Sequence, residues 1–433
     1  MRLCSTRDSR LSMSFTEAVR LGIAPDGGLF MPVEIPACHA GFIGSIGSLS
    51  FQEISAAIAR ILLGGEIPEG DLREIVEHAI TFDAPLRVLD EYTAVLELFH
   101  GPTLAFKDFG ARFMAGVMSY IRRGESSAYT VLVATSGDTG SAVASAFHGI
   151  PGASVVLLYP SGKVSEIQER QLTSFAGNVS ALEIDGTFDD CQRLVKEAFA
   201  DAGLAARRRL TSANSINVAR LIPQTFYYFN AFARSAPREG NSVFSVPSGN
   251  LGNLTAGLIA WKMGLPVRHF VAALNANDAA GRYITTGTFA AARAVPTISN
   301  AMDVGDPGNL PRIRALFDDD PGAIRRTVSP FSCTDDDTRE AIAEAYGKYR
   351  YVFDPHGAVG YAALGRYRAG AGGRIPGIVL GTAHPAKFMD AYDGSLRGSI
   401  TVPPRLQSLT GGEKHSVKLP ARFDDLHEYL MEG

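Results

Sequence analysis

The stretch HGPTLAFKDFGARF, residues 100–113, joins an apolar run to a helical pattern, and much of the chain repeats this plan. The run Ala94–Phe99 leads into it, and Phe109 and Phe113 follow at the spacing of one helix face. Lys107 is therefore predicted at the start of a helix, after a strand. Burial and the positive end of the helix would both lower the pKa of its amine. A neutral amine can form an imine with a carbonyl cofactor; a surface lysine that begins a helix is the alternative.

Short apolar runs alternate with helical patterns from about residue 93 onward. The runs are Ala94–Phe99, Tyr129–Ala134, Ser154–Tyr159, Val179–Ile184, Ser242–Val246, Val267–Leu274 and Gly377–Leu380. The helical patterns between them include Phe109–Arg122, Ser141–His148, Ser165–Phe175 and Leu254–Met263. This alternation predicts an α/β fold, in which parallel sheets are covered by helices on both faces. Ligands of such sheets bind beyond the carboxyl ends of the strands, so chemistry is expected in the turns that follow the runs.

The first ninety residues lack this alternation. Glu53–Leu63 and Asp71–Ile80 carry apolar residues at helical spacing. We therefore expect an N-terminal region of helices and loops over residues 1–90, followed by a sheet-forming region over residues 91–433.

Two further turns place glycines and small polar residues before a predicted helix. The turn TSGDTGSA, residues 135–142, would expose backbone N–H groups that suit a carboxylate or a phosphate, although an ordinary N-cap is an equal alternative. The turn PSGNLGNLTAG, residues 247–257, would let the backbone approach a phosphate closely, with a helix expected to begin near Asn253. It matches neither glycine-rich nucleotide motif. A plain Gly-rich turn remains the alternative.

Composition and charge argue against several classes of protein. The 433 residues carry a net charge of −4, whereas binding to nucleic acid needs concentrated Lys and Arg. No stretch reaches about 18 uninterrupted apolar residues, so no membrane span is expected. Cys4, Cys38, Cys191 and Cys333 lie far apart, and the histidines show no close ligand spacing, so neither a disulfide framework nor a metal site is expected. A reduced, cytoplasmic compartment fits this pattern.

Taken together, these motifs resemble the threonine synthases, and the resemblance covers essentially the whole chain. The matching segments are STRD at Ser5–Asp8, GIAPDGGLFMP at Gly22–Pro32, residues 100–113, NSINVAR at Asn214–Arg220, SGNLGN at Ser248–Asn253, AMDVG at Ala301–Gly305 and TAHPAKF at Thr382–Phe388. The resemblance implies the tryptophan-synthase-β fold, with two parallel-sheet αβα domains and an extra N-terminal region. It also implies a smaller, mobile subdomain at about residues 110–215.

Pyridoxal 5′-phosphate is the cofactor that the resemblance implies, with Lys107 as its Schiff-base lysine. Asp138 is expected near the phenolic oxygen of the cofactor, and Thr382 at its pyridine nitrogen. Many relatives have Asn where this chain has Asp138, but the branch with the long N-terminal region commonly has Asp. The cofactor phosphate is expected in the bend formed by Ser248, Gly249, Asn250, Leu251, Gly252 and Asn253.

The implied reaction converts O-phosphohomoserine and water into L-threonine and phosphate. Residues implied to bind the substrate are Ser136, Gly137 and Thr139 at its carboxylate, and Asn214, Ser215, Asn217, Arg220 and Lys163 at its phosphate. Arg220 is the first choice for the phosphate because a guanidinium offers two parallel donors. His384 and Lys387 could help to bind an anion, cap a helix or belong to a structural network.

Two other interpretations remain open. A related enzyme would keep the cofactor but release a 2-oxo acid, as a phospho-lyase or a serine or threonine dehydratase does. A phospholigand-binding protein would use the two Gly-rich turns without any chemistry at Lys107, and it would be colourless. Either enzyme would act on a small molecule, as a monomer or a homodimer.

Overall fold

The computed structural model of the chain describes residues 1–125, 127–235, 241–409 and 414–432. Its strands are β1 (Arg2–Ser5), β2 (Ser12–Ser14), β3 (Phe30–Pro32), β4 (Leu86–Val88), β5 (Thr93–Glu97), β6 (Tyr129–Ala134), β7 (Ala153–Pro160), β8 (Val179–Asp185), β9 (Leu210–Ser212), β10 (Val243–Pro247), β11 (His269–Leu274), β12 (Val328–Ser332), β13 (Gly377–Gly381) and β14 (Val417–Pro420).

Its α-helices are α1 (Phe15–Leu21), α2 (Ala40–Ser45), α3 (Phe51–Leu63), α4 (Glu69–Ala79), α5 (Lys107–Ile121), α6 (Asp138–Phe147), α7 (Glu166–Thr173), α8 (Phe188–Ala200), α9 (Ala202–Arg208), α10 (Val218–Leu221), α11 (Gln224–Arg234), α12 (Gly252–Lys262), α13 (Ala279–Thr286), α14 (Leu310–Leu316), α15 (Pro321–Thr327), α16 (Asp335–Tyr349), α17 (Pro355–Ala371), α18 (Gly394–Ser399), α19 (Pro404–Gln407) and α20 (Phe423–Glu432). Short 3₁₀ helices lie at Ile46–Ser48, Asn300–Met302 and Pro385–Ala391.

The larger sheet has six strands in the order β12-β11-β10-β13-β5-β4. All neighbours are parallel except β4 and β5, which pair in antiparallel fashion at the edge. Adjacent residues of β10 enter different cores: Val243 packs with Ala358 and Val359 of α17, whereas Phe244 packs with residues of α11 and α12. Helices therefore cover both faces, as the alternating pattern predicts.

The smaller sheet has five parallel strands in the order β14-β8-β7-β6-β9. Four of them come from residues 129–212, but the edge strand β14 comes from the far end of the chain. Helix α20 follows β14, and its Leu426 and Leu430 pack in one core with Leu194 of α8. Residues 110–215 therefore do not form the smaller unit alone, because β14 and α20 also belong to it. Pairing between segments more than 200 residues apart leaves no local signal.

A third, three-stranded antiparallel sheet, β2-β1-β3, lies in the N-terminal region. The expectation of helices and loops alone over residues 1–90 is therefore wrong in this respect. Each of these strands has only three or four residues, which is too short for an alternating pattern to be recognised. The predicted helices at Glu53–Leu63 and Asp71–Ile80 are confirmed as α3 and α4, each within two residues.

Aromatic packing joins the N-terminal helices to the helix that begins at the lysine. Phe109 of α5 is buried, and its ring centroid lies 5.7 Å from that of Phe51 on α3 and 5.7 Å from that of Tyr227 on α11. Phe82 lies closer still, at 4.8 Å. Since aromatic side chains bury large apolar areas, this cluster holds α5 in place from both sides. The first residue of α5 is Lys107.

Candidate active site

The lysine turn connects β5 to α5 and rests against the turn that follows β13. Phe106 N donates to Thr382 O at 2.9 Å, and His384 N donates to Leu104 O at 3.0 Å. An isolated antiparallel bridge joins Ala105 to Ala383 between them. The two turns therefore form one unit, which brings Lys107 and Thr382 to the same cavity although they are 275 positions apart in the sequence.

A buried carboxylate shapes the lysine turn from inside. Asp108 accepts hydrogen bonds from Thr103 Oγ1 at 2.7 Å and Thr103 N at 2.9 Å. Burial raises the pKa of Asp108 to about 6, although these hydrogen bonds oppose the rise. A Cβ on Gly101 would lie 2.5 Å from Asp108 Oδ2, so glycine is required there. These residues build the turn and do not line the cavity.

The amine of Lys107 lies in a largely desolvated environment. Its Nζ is 4.3 Å from the centroid of the Phe106 ring. Burial and, to a smaller extent, the charge of Arg220 lower the pKa of Lys107 to about 8, while Asp138 acts in the opposite direction. About one amine in ten is then neutral at pH 7, far more than for an ordinary lysine. The lowered pKa predicted from the sequence agrees in direction with this environment.

The turn over residues 135–142 presents the carboxylate of Asp138 to the same cavity. Thr135 Oγ1 accepts from Gly137 N at 3.0 Å and from Gly140 N at 2.8 Å, so a side chain of the turn itself satisfies these donors. Gly137 has φ = 130° and packs against the side chain of Gln168. Asp138 lines the cavity, whereas the other residues predicted here, Ser136, Gly137 and Thr139, do not.

The bend over residues 248–253 leads from β10 into α12. Gly249 packs closely on the neighbouring segment, since a Cβ there would lie 2.6 Å from Met302 Cα. Leu251 is the N-cap residue of α12, with φ = 61° and no side-chain capping bond. The N-cap of this eleven-residue helix thus makes no side-chain bond, although Leu254 N donates to Asn253 Oδ1 at 3.0 Å. The helix start faces a cavity with two cationic side chains, Lys107 and Arg220. Such a helix start is a suitable site for a phosphate.

Side chains of the bend support its shape from behind. Ser248 Oγ donates to Val246 O at 2.7 Å, and Asn253 Nδ2 donates to Pro247 O at 2.7 Å. Asn250 Nδ2 donates to Ser215 Oγ at 2.7 Å. Of the six residues predicted for the bend, all except Ser248 line the cavity.

The segment over residues 214–220 divides between the cavity and the scaffold. Asn214 Nδ2 donates to Ala134 O at 2.8 Å. Asn217 Nδ2 donates to Val19 O at 3.0 Å, and its side-chain oxygen caps α10. Ser215 and Arg220 line the cavity, whereas Asn214 and Asn217 do not. The two asparagines that were predicted to bind substrate phosphate therefore have structural partners, and Lys163 is exposed and also lies outside the cavity.

Arg220 is buried, and it keeps one donor without a protein partner. Its Nη1 donates to Ala213 O, while Nε has no hydrogen-bond partner. Burial lowers the pKa of Arg220 to about 10, and the charge of Asp108 acts against this shift. A guanidinium of this pKa remains charged at neutral pH. A buried cation with an unsatisfied N–H group in a cavity is suited to an anionic ligand.

The cavity contains several residues that the sequence did not single out for the site. They are Phe106, Gln224, Pro247, Ala301, Met302 and His356. His356 Nδ1 lies 2.7 Å from Asp354 Oδ1, and its Nε2 accepts from Ala301 N at 3.2 Å. The motif Asp354-Pro355-His356 carried a signal, because Asp followed by Pro begins a helix and places the next residue in its first turn. That this turn reaches the cavity could not be read locally.

His384 and Lys387 have structural partners in this arrangement. His384 Nδ1 accepts from Ala386 N at 3.1 Å, so the imidazole caps the 3₁₀ helix that follows it. Burial lowers the pKa of His384 to about 4. Lys387 Nζ lies 2.7 Å from Asp138 Oδ1. Of the interpretations left open for these two residues, capping and a structural network describe what is observed.

The residues present fit pyridoxal 5′-phosphate. The fit rests on a lysine of lowered pKa, an uncapped helix start beside a crowded glycine, and a buried arginine with a free donor, all in one cavity. Across the described ranges, no group of three His, Cys, Asp or Glu side chains could hold a metal ion. Each helix within those ranges is too short or too polar to cross a membrane.

Comparison with known proteins gives matches over essentially the whole chain. Models of three families match: pyridoxal-phosphate-dependent enzymes over residues 86–380, the threonine synthase N terminus over 2–80, and the threonine synthase C-terminal region over 357–430. The threonine synthase of Serratia marcescens is 42% identical over 433 residues, which cover 100% of this chain and 99% of the relative.

Solved structures agree with this comparison. The crystal structure of threonine synthase from Escherichia coli superposes with a TM-score of 0.92 at 41% identity, and 100% of both chains is covered. The pyridoxal-phosphate-bound threonine synthase from Brucella melitensis gives a TM-score of 0.90 at 35% identity, covering 100% of this chain and 99% of the other. The fold and the type of cofactor expected from the sequence are thereby confirmed.

Proposed function

This chain belongs to the threonine synthase family of pyridoxal-phosphate-dependent lyases, and we propose that it converts O-phosphohomoserine and water into L-threonine and phosphate around Lys107. The observation that carries the proposal is the single cavity shared by Lys107, the bend over residues 248–253, Arg220 and Thr382. It offers one reactive amine and two separate places for a phosphate, as a phosphorylated substrate and a phosphorylated cofactor require.

Several residues would hold the cofactor. Lys107 would bind it covalently, the start of α12 would bind its phosphate, and Thr382 would contact its ring nitrogen. When bound, pyridoxal phosphate delocalises the negative charge that forms at the substrate Cα. A hydroxyl at position 382 would leave the ring nitrogen largely unprotonated, because only a carboxylate partner would hold a proton there.

Lys107 is the residue proposed to move protons. With substrate bound, its neutral Nζ accepts the proton from Cα, passes it on, and then accepts the proton from Cβ. Loss of the Cβ proton allows phosphate to leave from Cγ, and Nζ then gives a proton to Cγ. Water adds its hydroxyl at Cβ, Cα recovers a proton, and the remaining water proton goes to the departing phosphate, so that L-threonine and phosphate are formed. A pKa of about 8 suits this role, because a base works best near the operating pH.

Arg220 and Ser215 are proposed to hold the substrate phosphate. Ser215 Oγ already accepts from Asn250 Nδ2 at 2.7 Å and from Asn309 Nδ2 at 3.1 Å. Its own proton is therefore free to be donated to a ligand. Arg220 lines the same cavity and supplies a charged guanidinium, whose buried Nε lies beside Gly110 and has no hydrogen-bond partner. Ser136, Gly137 and Thr139 remain the proposed contacts for the substrate carboxylate, and Asn214, Asn217 and Lys163 are weaker proposals because none of them lines the cavity.

We further propose a division of labour along the chain. Residues 1–90 form the N-terminal region, and residues 91–433 form the catalytic region. Within it, the unit around about residues 110–215, extended by β14 and α20, closes on the substrate. Closure predicts that a non-reactive substrate analogue protects the full-length enzyme against limited proteolysis. Equal cleavage rates with and without the analogue would contradict closure.

The reaction is tested by product analysis. Purified enzyme with pyridoxal phosphate should convert O-phosphohomoserine into equal amounts of threonine and phosphate. Phosphate released together with 2-oxobutyrate, without threonine, would instead identify a phospho-lyase. Borohydride reduction followed by peptide mapping should place the cofactor on Lys107, and a label on another lysine would refute the assignment of the site.

The cellular compartment and the oligomeric state of the enzyme are also proposals. We expect a cytoplasmic protein, which is in keeping with four free thiols at Cys4, Cys38, Cys191 and Cys333. We expect a monomer or a homodimer, which light scattering of the purified enzyme would distinguish.

A further inference from the structure

Lys387 is a buried lysine that the proposed reaction does not use. It lies in the 3₁₀ helix Pro385–Ala391, and its side chain is fully shielded from solvent. Its Nζ is 2.7 Å from Asp138 Oδ1 and donates to Thr103 O at 2.9 Å. Because a buried ammonium ion is costly without partners, these two contacts determine where the side chain lies.

The contacts of Lys387 join three segments that surround the cavity. Thr103 belongs to the lysine turn, and Asp138 is the first residue of α6 on the smaller sheet. The backbone oxygen of Lys387 also accepts from Ser165 Oγ at 3.0 Å, at the start of α7. Lys387 therefore connects the last turn of the larger sheet both to the lysine turn and to two helices of the smaller unit.

Asp138 is the anion that acts on the catalytic lysine. The pKa of Lys107 is influenced by burial, by Arg220 and by Asp138, and of these only Asp138 favours the ammonium form. A carboxylate free to approach Lys107 would hold it as an ion pair and suppress its reactivity. In this structure Asp138 Oδ1 is engaged by Lys387 and by Gln168 Nε2, the latter at 3.0 Å.

Other titratable groups interact with the pair formed by Asp138 and Lys387. His356 acts on Asp138, and the charge of Lys387 acts on Asp108 and His384 as well as on Asp138. Burial raises the pKa of Asp138, but Lys387, the hydrogen bond from Gln168 and the charge of His356 together outweigh it, and the pKa is lowered. Asp108 shows what burial does without such a direct ion pair, since its pKa is raised to about 6. Without Lys387, Asp138 would keep the hydrogen bond from Gln168 Nε2, and we expect it to remain ionised where Lys107 titrates.

We propose that Lys387 is a positioning residue: by occupying the carboxylate of Asp138, it keeps that carboxylate from forming an ion pair with Lys107 and leaves the lysine amine available to react. The inference deepens the proposed function and rests on it, since it assigns a role relative to the reactive lysine. It also predicts effects of opposite sign for the two members of the pair.

The test measures the titration of Lys107 directly in the full-length chain after removal of the cofactor. Competitive labelling with acetic anhydride at a series of pH values, followed by peptide mapping, gives the midpoint for this amine. Lys387→Met should raise the midpoint by about one pH unit, because Asp138 becomes free to pair with Lys107. Asp138→Asn should lower the midpoint, because the anion is removed while Lys387 remains.

Controls separate this role from a general effect on folding. Lys196→Met removes an exposed lysine of α8 and should leave the midpoint unchanged. Lys387→Arg keeps the charge and should restore a midpoint near that of the wild type. If Lys387→Met does not fold, Lys387→Gln keeps a donor for Thr103 O while it removes the charge, and the same upward shift is expected.

The outcome is decided without turnover. Midpoints that stay the same, or that move in the same direction in the Lys387 and Asp138 variants, would overturn the proposal. Failure to form threonine from O-phosphohomoserine would refute the proposed reaction instead, and the labelling experiment would still report on the pair.

Discussion

The bend over residues 248–253 and the segment over residues 214–217 are both predicted to contact a phosphate, yet they present different atoms to the cavity. The bend starts α12 with no side-chain cap. The segment starts α10, which has four residues and is capped by Asn217. A helix start attracts an anion only when no side chain of the protein already satisfies its donors. A polar motif therefore predicts a binding site only if its hydrogen-bonding atoms are not already bonded to other groups of the protein.

The largest effect on activity is expected at Lys107, which shares the cavity with residues of both segments. Lys107→Ala removes the covalent link and the proposed base, so turnover should fall by at least about 10²- to 10⁴-fold. The absorbance band of the bound cofactor should be lost as well. Unchanged turnover in a steady-state assay would mean that the chemistry depends on another residue.

The second largest effect is expected from a substitution that would distort the bend over residues 248–253. In Gly249→Ala the added Cβ would lie 2.6 Å from Met302 Cα, so the bend must shift. We expect cofactor affinity, measured by fluorescence titration, to fall on the order of a hundredfold, as misplacement by about 1 Å can cause. Gly347→Ala is the matched control, since nothing lies within 4 Å of its added Cβ. Equal affinities of the two variants would remove the bend from the cofactor site.

Arg220→Lys tests the charged donor that is proposed to hold the substrate phosphate. Lysine keeps the charge but loses the planar pair of donors, and a charged hydrogen bond contributes about 1.5–3 kcal/mol. The KM for O-phosphohomoserine should rise roughly tenfold or more, with a smaller change in the cofactor affinity. A selective loss of cofactor affinity would instead assign Arg220 to the cofactor phosphate.

A pair of neighbouring substitutions compares free and engaged atoms within one segment. Asn217→Ala removes a cap, so the free energy of unfolding should fall by about 1 kcal/mol while KM stays nearly constant. Ser215→Ala should raise KM with little loss of stability. Denaturant unfolding and steady-state kinetics on both variants make the comparison, and the reverse pattern would contradict the division drawn here.

The smallest effect is expected at Lys163, which is exposed and outside the cavity. Lys163→Ala should change KM by less than about twofold, as substitutions at exposed positions usually do. A tenfold rise in KM would show that closure of the smaller unit brings this lysine to the substrate.

Much of the central architecture could be predicted because its signals are local. Strand β6 matches its predicted bounds, and the other predicted strands lie within two residues of theirs at each end. Most of them are apolar runs followed by a turn and a helix, which is a pattern contained in about thirty residues. The short strands of residues 1–32, the strands β4, β9 and β12, and the distant strand β14 were missed, because their pairing partners and not their own composition define them.

The site shows the same limit. The sequence by itself predicted Lys107, the bend and Arg220 as site residues, through turns that follow predicted strands and through the resemblance to a known family, and one cavity contains them. Only the tertiary structure decided that Asn217 caps a helix, that His356 reaches the cavity and that Lys387 engages Asp138. The physical reason is that burial and pairing depend on atoms brought together from distant positions: Asp138 and Lys387 are 249 positions apart in the sequence.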